Sequence, residues 1–204
     1  MKIELVLLTP EYKESFISFV EEMLAAKDPF FGQYTKYAAF DMQRVRDDFD
    51  AYILKPLADG RQGINLKPGY VPYTTFALVD TDKKEILGRV VVRHRLTPHL
   101  TEYAGHIAYA IRPSMRGKGL AKAGLRLALA FCHERLGLQE ALVTCDARNE
   151  ASCRTIVGTL KEYGGRMDTP TQLKDGTVFS ESPYHPVNKN HIQLRFWLNT
   201  RQRC

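Results

Sequence analysis

The sequence predicts an α+β domain built on a mixed sheet, on three observations. Apolar runs at 74–80, 86–96 and 105–111, joined by short turns, read as an antiparallel meander. A helix over 117–136 then connects strand 105–111 to strand 140–146, and such a strand–helix–strand crossover makes the two strands parallel. Ahead of the meander, apolar residues at helical spacing predict a helix over 9–26, and a second helix, with Asp41 as its cap, is read over 41–60. The chain of 204 residues suits one domain, spanning 1–204, with enough length to bury a core.

In chain order, "IELVLL" (3–8) is the first strand. Helix 9–26 opens with Thr9 as N-cap, Pro10 at the first helical position and Glu11 in the first turn. Phe16, Phe19, Val20, Met23 and Leu24 give it an apolar face. The aromatic-rich segment 27–40 is irregular, Asp41 caps helix 41–60, and 61–73 is a Gly/Pro loop. After strand 140–146, Asn149 caps a helix over 149–163. "TVFS" (177–180) and "IQLRFWL" (192–198) read as closing strands.

A hydrophobic fraction of 44% and a charged fraction of 25% are those of an ordinary globular protein. The net charge of +6 suits an anionic ligand. The four cysteines form no CxxC pair, which excludes a zinc framework and a disulfide-dense scaffold and fits a cytoplasmic protein with reduced thiols. "MKIELVLLTP" lacks the length and cleavage site of a signal peptide. No apolar stretch reaches the ~20 residues of a membrane helix. The six histidines do not cluster with carboxylates, so no metal is expected.

The chemistry concentrates in "IRPSMRGKGLAKAGLRLALAF" (111–131). A strand ends, glycines flanked by cations follow, and a helix begins at once. A helix N-terminus offers unpaired N–H groups and partial positive charge, and glycine lets a ligand approach the backbone. Such an entry suits a phosphate, but the physics is generic and the spacing has to discriminate. The spacing is not GxxxxGK[ST], and Lys122 stands where a dinucleotide fingerprint needs its third glycine. What remains is [RQ]xxGx[GA], filled by Arg116, Gly119 and Ala121.

With this motif set after "GHIAYAI" and before "ALVTCD" and "NEAS", residues 105–165 resemble the core of the GNAT superfamily of acyl-CoA-dependent N-acetyltransferases. The resemblance implies the GNAT fold: an α+β domain with a mixed, mostly antiparallel sheet of about seven strands, a central parallel pair, and helices on both faces. It implies acetyl-CoA as co-substrate. Backbone amides of Gly117, Lys118, Gly119, Leu120, Ala121 and Lys122 would wrap the pyrophosphate, with Arg116 adding charge. Tyr109, Ala110 and Ile111 would pair with the pantetheine arm in a splay between 105–111 and 140–146, where Asn149 and Ser152 would also reach. Segments within 27–73 would form the acceptor side, helped by 180–191.

The implied reaction is direct attack of a primary amine on the thioester in a ternary complex. An aliphatic amine has a pKa of about 10, so a base or water must take its proton. His106 is the leading candidate base, with Glu102 second. Many relatives carry a tyrosine acid seven residues after the asparagine, but here that position is Ile156, which leaves Tyr163 two turns further on. A covalent route through Cys145 or Cys153 is disfavoured, because neither has a neighbouring histidine in sequence. The expected acceptor is a small-molecule or peptide amine, with no nucleic acid or membrane partner and homodimerisation left open. Two rivals stand beside this reading. One is an acyl-CoA sensor without turnover, suggested by the missing tyrosine. The other is a nucleic-acid binder, suggested by the net charge but lacking any recognised motif.

Overall fold

The computed structural model describes residues 1–26, 41–172 and 192–202. The aromatic segment 27–40, the predicted strand 177–180 and the insertion 180–191 lie outside the described residues. Eight strands form one sheet: β1 (Ile3–Leu7), β2 (Tyr73–Asp80), β3 (Glu85–Arg93), β4 (Ile107–Ile111), β5 (Glu140–Asp146), β6 (Gly165–Met167), β7 (Thr171–Gln172) and β8 (Ile192–Asn199). The order is β1-β2-β3-β4-β5-β8-β6, with the two-residue β7 also on β8. All pairings are antiparallel except β4 with β5. The predicted meander and parallel pair are therefore present.

Helix α1 (Lys13–Ala25) begins one turn later than its sequence signature, behind a 3-10 turn at Pro10–Tyr12. Thr9 makes no side-chain cap bond there, because its hydroxyl turns to Glu11 instead. Predicted helix 41–60 is broken into α2 (Met42–Asp47), a π-helical turn (Asp50–Leu54) and α3 (Lys55–Gln62). Pro56 has no N–H to give to the helical ladder, and the wider turn precedes it. Asp41 caps α2 as expected, its Oδ1 accepting from the N–H groups of Gln43 and Arg44. The loop after β3 holds an unforeseen helix α4 (Pro98–Tyr103), capped by the Thr97 hydroxyl. Then come α5 (Leu120–Leu136) and α6 (Glu150–Tyr163).

Strand alternation sends successive residues to opposite faces. Ala77 joins a cluster with Phe16, Phe19, Val20 and Met23 of α1 and Val45 of α2. Phe76 joins a second cluster, with Val90, Ile107 and Val143 under Leu125 and Leu129 of α5 and Ile156 of α6. Helices thus cover both faces, and the β4–β5 junction lies at the middle of the sheet.

Candidate active site

The parallel strands β4 and β5 meet at a single register position, Ile107 opposite Val143. Gly105 makes this junction close: its φ is +70°, and a Cβ there would stand 2.5 Å from the Leu142 carbonyl oxygen. His106 locks it. Its backbone N–H donates to the Leu142 carbonyl at 2.7 Å, and its carbonyl accepts from Arg93 N–H at 2.8 Å. Its ring Nδ1 accepts the Leu142 N–H at 3.0 Å. The neutral ring therefore carries its proton on Nε2. His106 is 5% exposed; burial, and secondarily the Arg93 charge, hold its pKa down at about 4. The indole of Trp197 lies edge-on to it at 6.4 Å.

Beyond Ile107 no pairing joins β4 to β5, so the strands part. Ala108, Tyr109 and Ala110 are only half-buried along this opening. Among the described residues, the edge of β4 that faces β5 has no strand partner beyond Ile107. At the far end of β4, Pro113–Met115 forms a 3-10 turn and the chain enters α5 through Gly117 and Gly119, at φ +76° and +74°. A Cβ at either glycine would meet nothing within 4 Å. Gly119 is the N-cap and has no side chain to satisfy the first turn. The first turn of α5 thus has no side-chain cap, and a helix N-terminus entered through two uncrowded glycines fits a phosphate-bearing ligand. Of the flanking cations, Lys118 is exposed. Lys122 pairs with Glu162 of α6, and Arg116 Nε donates to the Ile111 carbonyl at 3.1 Å.

Across the opening, Asn149 Oδ1 accepts from the Ser152 N–H at 3.1 Å and caps α6. The Ser152 hydroxyl meets the Tyr109 hydroxyl at 2.9 Å, bridging β4 to α6. Burial raises the Tyr109 phenol well above its ordinary value, so it stays protonated. Tyr163 is at the other end of α6, eleven residues on, or ~16 Å along the axis. Burial raises its phenol as well. Glu102 sits on α4, partly exposed, beside Tyr103, whose carbonyl accepts from Thr144 Oγ1 at 3.1 Å and Gln193 Nε2 at 3.0 Å. The opening thus gathers Tyr109, Ala110, Ile111, the glycine loop, Asn149 and Ser152. It does not gather Tyr163.

Two features of the site are not visible in the sequence. The Tyr109–Ser152 pair joins residues 43 apart, and only the alternation that sends Ile107 and Tyr109 to the α6 face hinted at it. In the sequence Arg112 is only the residue after a strand and before a proline. It is buried, with Nε on Glu22 at 2.7 Å, Nη1 on Glu85 at 3.0 Å and Nη2 on the Ser18 hydroxyl at 2.7 Å. Glu22 also accepts the Ser114 N–H at 2.6 Å. Burial opposes the Glu22 charge, but Ser114 and Arg112 overcome it and hold the carboxyl below its ordinary range. This cluster pins the turn that precedes the glycine loop. An arginine just before a proline turn was the available signal. No group of three or more metal-ligating side chains occurs among the described residues. None of the described helices is long and apolar enough to cross a membrane.

Known structures share this architecture. A ribosomal L7/L12 alpha-N-protein acetyltransferase, RimL, in complex with coenzyme A aligns with TM-score 0.63 at 13% identity, covering 98% of this chain and 94% of that one. The microcin C7 self immunity acetyltransferase MccE, in complex with acetyl-CoA and AMP, aligns with TM-score 0.60 at 14% identity over 97% and 92%. A spermidine N-acetyltransferase chimera of Vibrio cholerae SpeG and hSSAT gives TM-score 0.56 at 13% identity over 98% and 96%. At such identities these likenesses speak to the fold alone. The comparison with curated proteins gave no match. The acetyltransferase (GNAT) domain model matches residues 6–157, three quarters of the chain including β4, the glycine loop and α5, and the protein therefore belongs to the GNAT family.

Proposed function

We propose that this protein transfers an acetyl group from acetyl-CoA to a primary amine by direct attack in a ternary complex. The observation that carries the reading is the parting of β4 and β5 after one register position, beside a glycine-opened helix N-terminus. Acetyl-CoA supplies the activated thioester carbon. Amides of Gly117–Lys122 hold its pyrophosphate, with Arg116 and Lys118 at the mouth. The β4 backbone at Tyr109–Ile111 and the side of α6 at Asn149 and Ser152 receive the pantetheine arm. A backbone N–H of β4 left open by the splay steadies the oxyanion.

His106 serves as a positioning residue in this reading, because Nδ1 is occupied by the Leu142 N–H and neutral Nε2 has no lone pair to offer. Water, or Glu102 through water, takes the amine proton. Tyr109, held protonated and paired with Ser152, offers the proton to the departing thiolate in place of the missing tyrosine. Acceptors in this fold include a ribosomal protein N-terminus and spermidine, judged by the relatives above, so both amine classes belong in a screen. A second reading, acyl-CoA sensing without turnover, has one observation in its favour. The usual tyrosine position is Ile156, fully buried in the core.

The test is calorimetric titration with acetyl-CoA, CoA, ATP and NAD, repeated on Gly119→Glu, followed by a panel of amines. Micromolar binding of acetyl-CoA that Gly119→Glu abolishes, plus turnover of one amine class, is the expected result. Binding without turnover of any amine selects the sensor. Absence of acetyl-CoA binding overturns both.

A further inference from the structure

Two nucleophilic side chains lie outside the acetyl-transfer reading. Cys145, the penultimate residue of β5, and Cys153, in the first turns of α6, hold their Sγ atoms 3.3 Å apart. The turn between them is firmly built. Asn149 N–H donates to the Asp146 carbonyl at 2.9 Å, Cys153 N–H donates to the Asn149 carbonyl at 2.9 Å, and Arg148 clasps the Asp146 carboxylate. The pair is thus fixed by backbone on both sides. A bonded pair stands at about 2.05 Å, so closure starts from sulfurs already in contact. The two thiols differ in access: Cys145 is 6% exposed, while Cys153 is partly exposed.

We propose that Cys145 and Cys153 form a redox-active dithiol that closes to a disulfide by exchange with a small-molecule disulfide. The accessible Cys153, as thiolate, attacks one sulfur of the reagent RSSR. The S–S bond breaks, RS⁻ leaves with the electron pair, and a Cys153–SR mixed disulfide remains. Cys145 then attacks Cys153 Sγ, forming the Cys145–Cys153 bond and expelling the second RS⁻. The two cysteine protons end on the two RS⁻ ions, so the balance is dithiol plus RSSR to disulfide plus two RSH. Burial, and then the neighbouring Cys153, push the Cys145 thiol well up. The second step therefore accelerates as pH rises. Contact between the sulfurs keeps it intramolecular and fast relative to a second external exchange. Closure ties the first turns of α6, with Ser152, to the strand that lines the opening. The inference goes beyond acetyl transfer and does not depend on it.

The test uses the full chain and oxidised glutathione. After incubation and alkylation, free thiols should fall from four to two. A tryptic digest, which cuts at Arg148, should yield two peptides joined through Cys145 and Cys153 and separated again by dithiothreitol. Closure should run at least ten-fold faster at pH 9 than at pH 7. Cys145→Ser should stop the reaction at a glutathione adduct on Cys153. Cys153→Ser should leave Cys145 unmodified over the same interval. Separate alkylation of both cysteines after prolonged exposure, or equal closure rates in the native protein and in concentrated urea, would overturn the proposal.

Discussion

His106 and Gly119 show how single residues set the site. The depressed pKa of His106 has a direct thermodynamic reading. The unfolded chain binds a proton near pH 6.5 and the folded one only near pH 4, so the unfolded state holds more protons between those values. Stability is full above about pH 6.5 and falls by roughly 3 kcal/mol as pH drops through this window. His106→Gln, whose amide oxygen can still accept the Leu142 N–H, should flatten that part of the urea-midpoint profile between pH 4 and 7 while keeping the fold. A profile parallel to the parent's would mean the buried ring is not the source. Gly119 lies at φ +74° with open space around it, so Gly119→Ala meets no clash and only the left-handed backbone penalty. It should lower stability by about 1 kcal/mol in chemical denaturation and weaken acetyl-CoA binding in calorimetry.

At the scale of elements, α6 is held at its N-terminus by one cap and one bridge. Asn149→Ala removes the acceptor for Ser152 N–H and should reduce stability by about 1 kcal/mol, read as a shift in denaturation midpoint. Tyr109→Phe removes only the hydroxyl that meets Ser152. If that hydroxyl supplies the thiolate's proton, kcat should fall about 10²-fold with KM little changed, whereas a merely structural hydroxyl would leave kcat intact. Much of this level was legible in advance. Asp41 and Asn149 cap helices where their residue types said they would, since a cap bond spans only two or three residues. The break in helix 41–60 is less legible, because one proline inside a helical stretch does not by itself say whether the chain before it ends, kinks or widens into a π-helical turn. Helix α4 was hidden because its six residues are too few to display a period.

For the whole molecule, Arg112 joins elements far apart in sequence: α1 through Glu22 and Ser18, and β3 through Glu85. Its side chain is 7% exposed, so deleting it strands partly buried carboxylates rather than a surface pair. Arg112→Ala should reduce stability by about 3 kcal/mol in urea titration. It should also loosen the Pro113–Met115 turn, weakening acetyl-CoA binding beyond what Glu22→Gln does, because Glu22→Gln keeps an acceptor for Ser114 N–H.

What the sequence determined by itself was local and periodic. The meander, the crossover, two helix caps and the glycine entry to α5 each follow from residues within one element or one turn, where spacing alone carries the information. Membership of the GNAT family rests on that same stretch. Only the tertiary structure decided which residues meet across the opening between β4 and β5. Tyr109 reaches Ser152, Cys145 meets Cys153, Leu142 occupies the His106 ring and Tyr163 is carried away along α6. These outcomes depend on strand register, on the single pairing at Ile107 and Val143, and on the angle at which α6 packs. Desolvation then follows from burial, which is why the protonation of His106 could be assigned only in the folded chain.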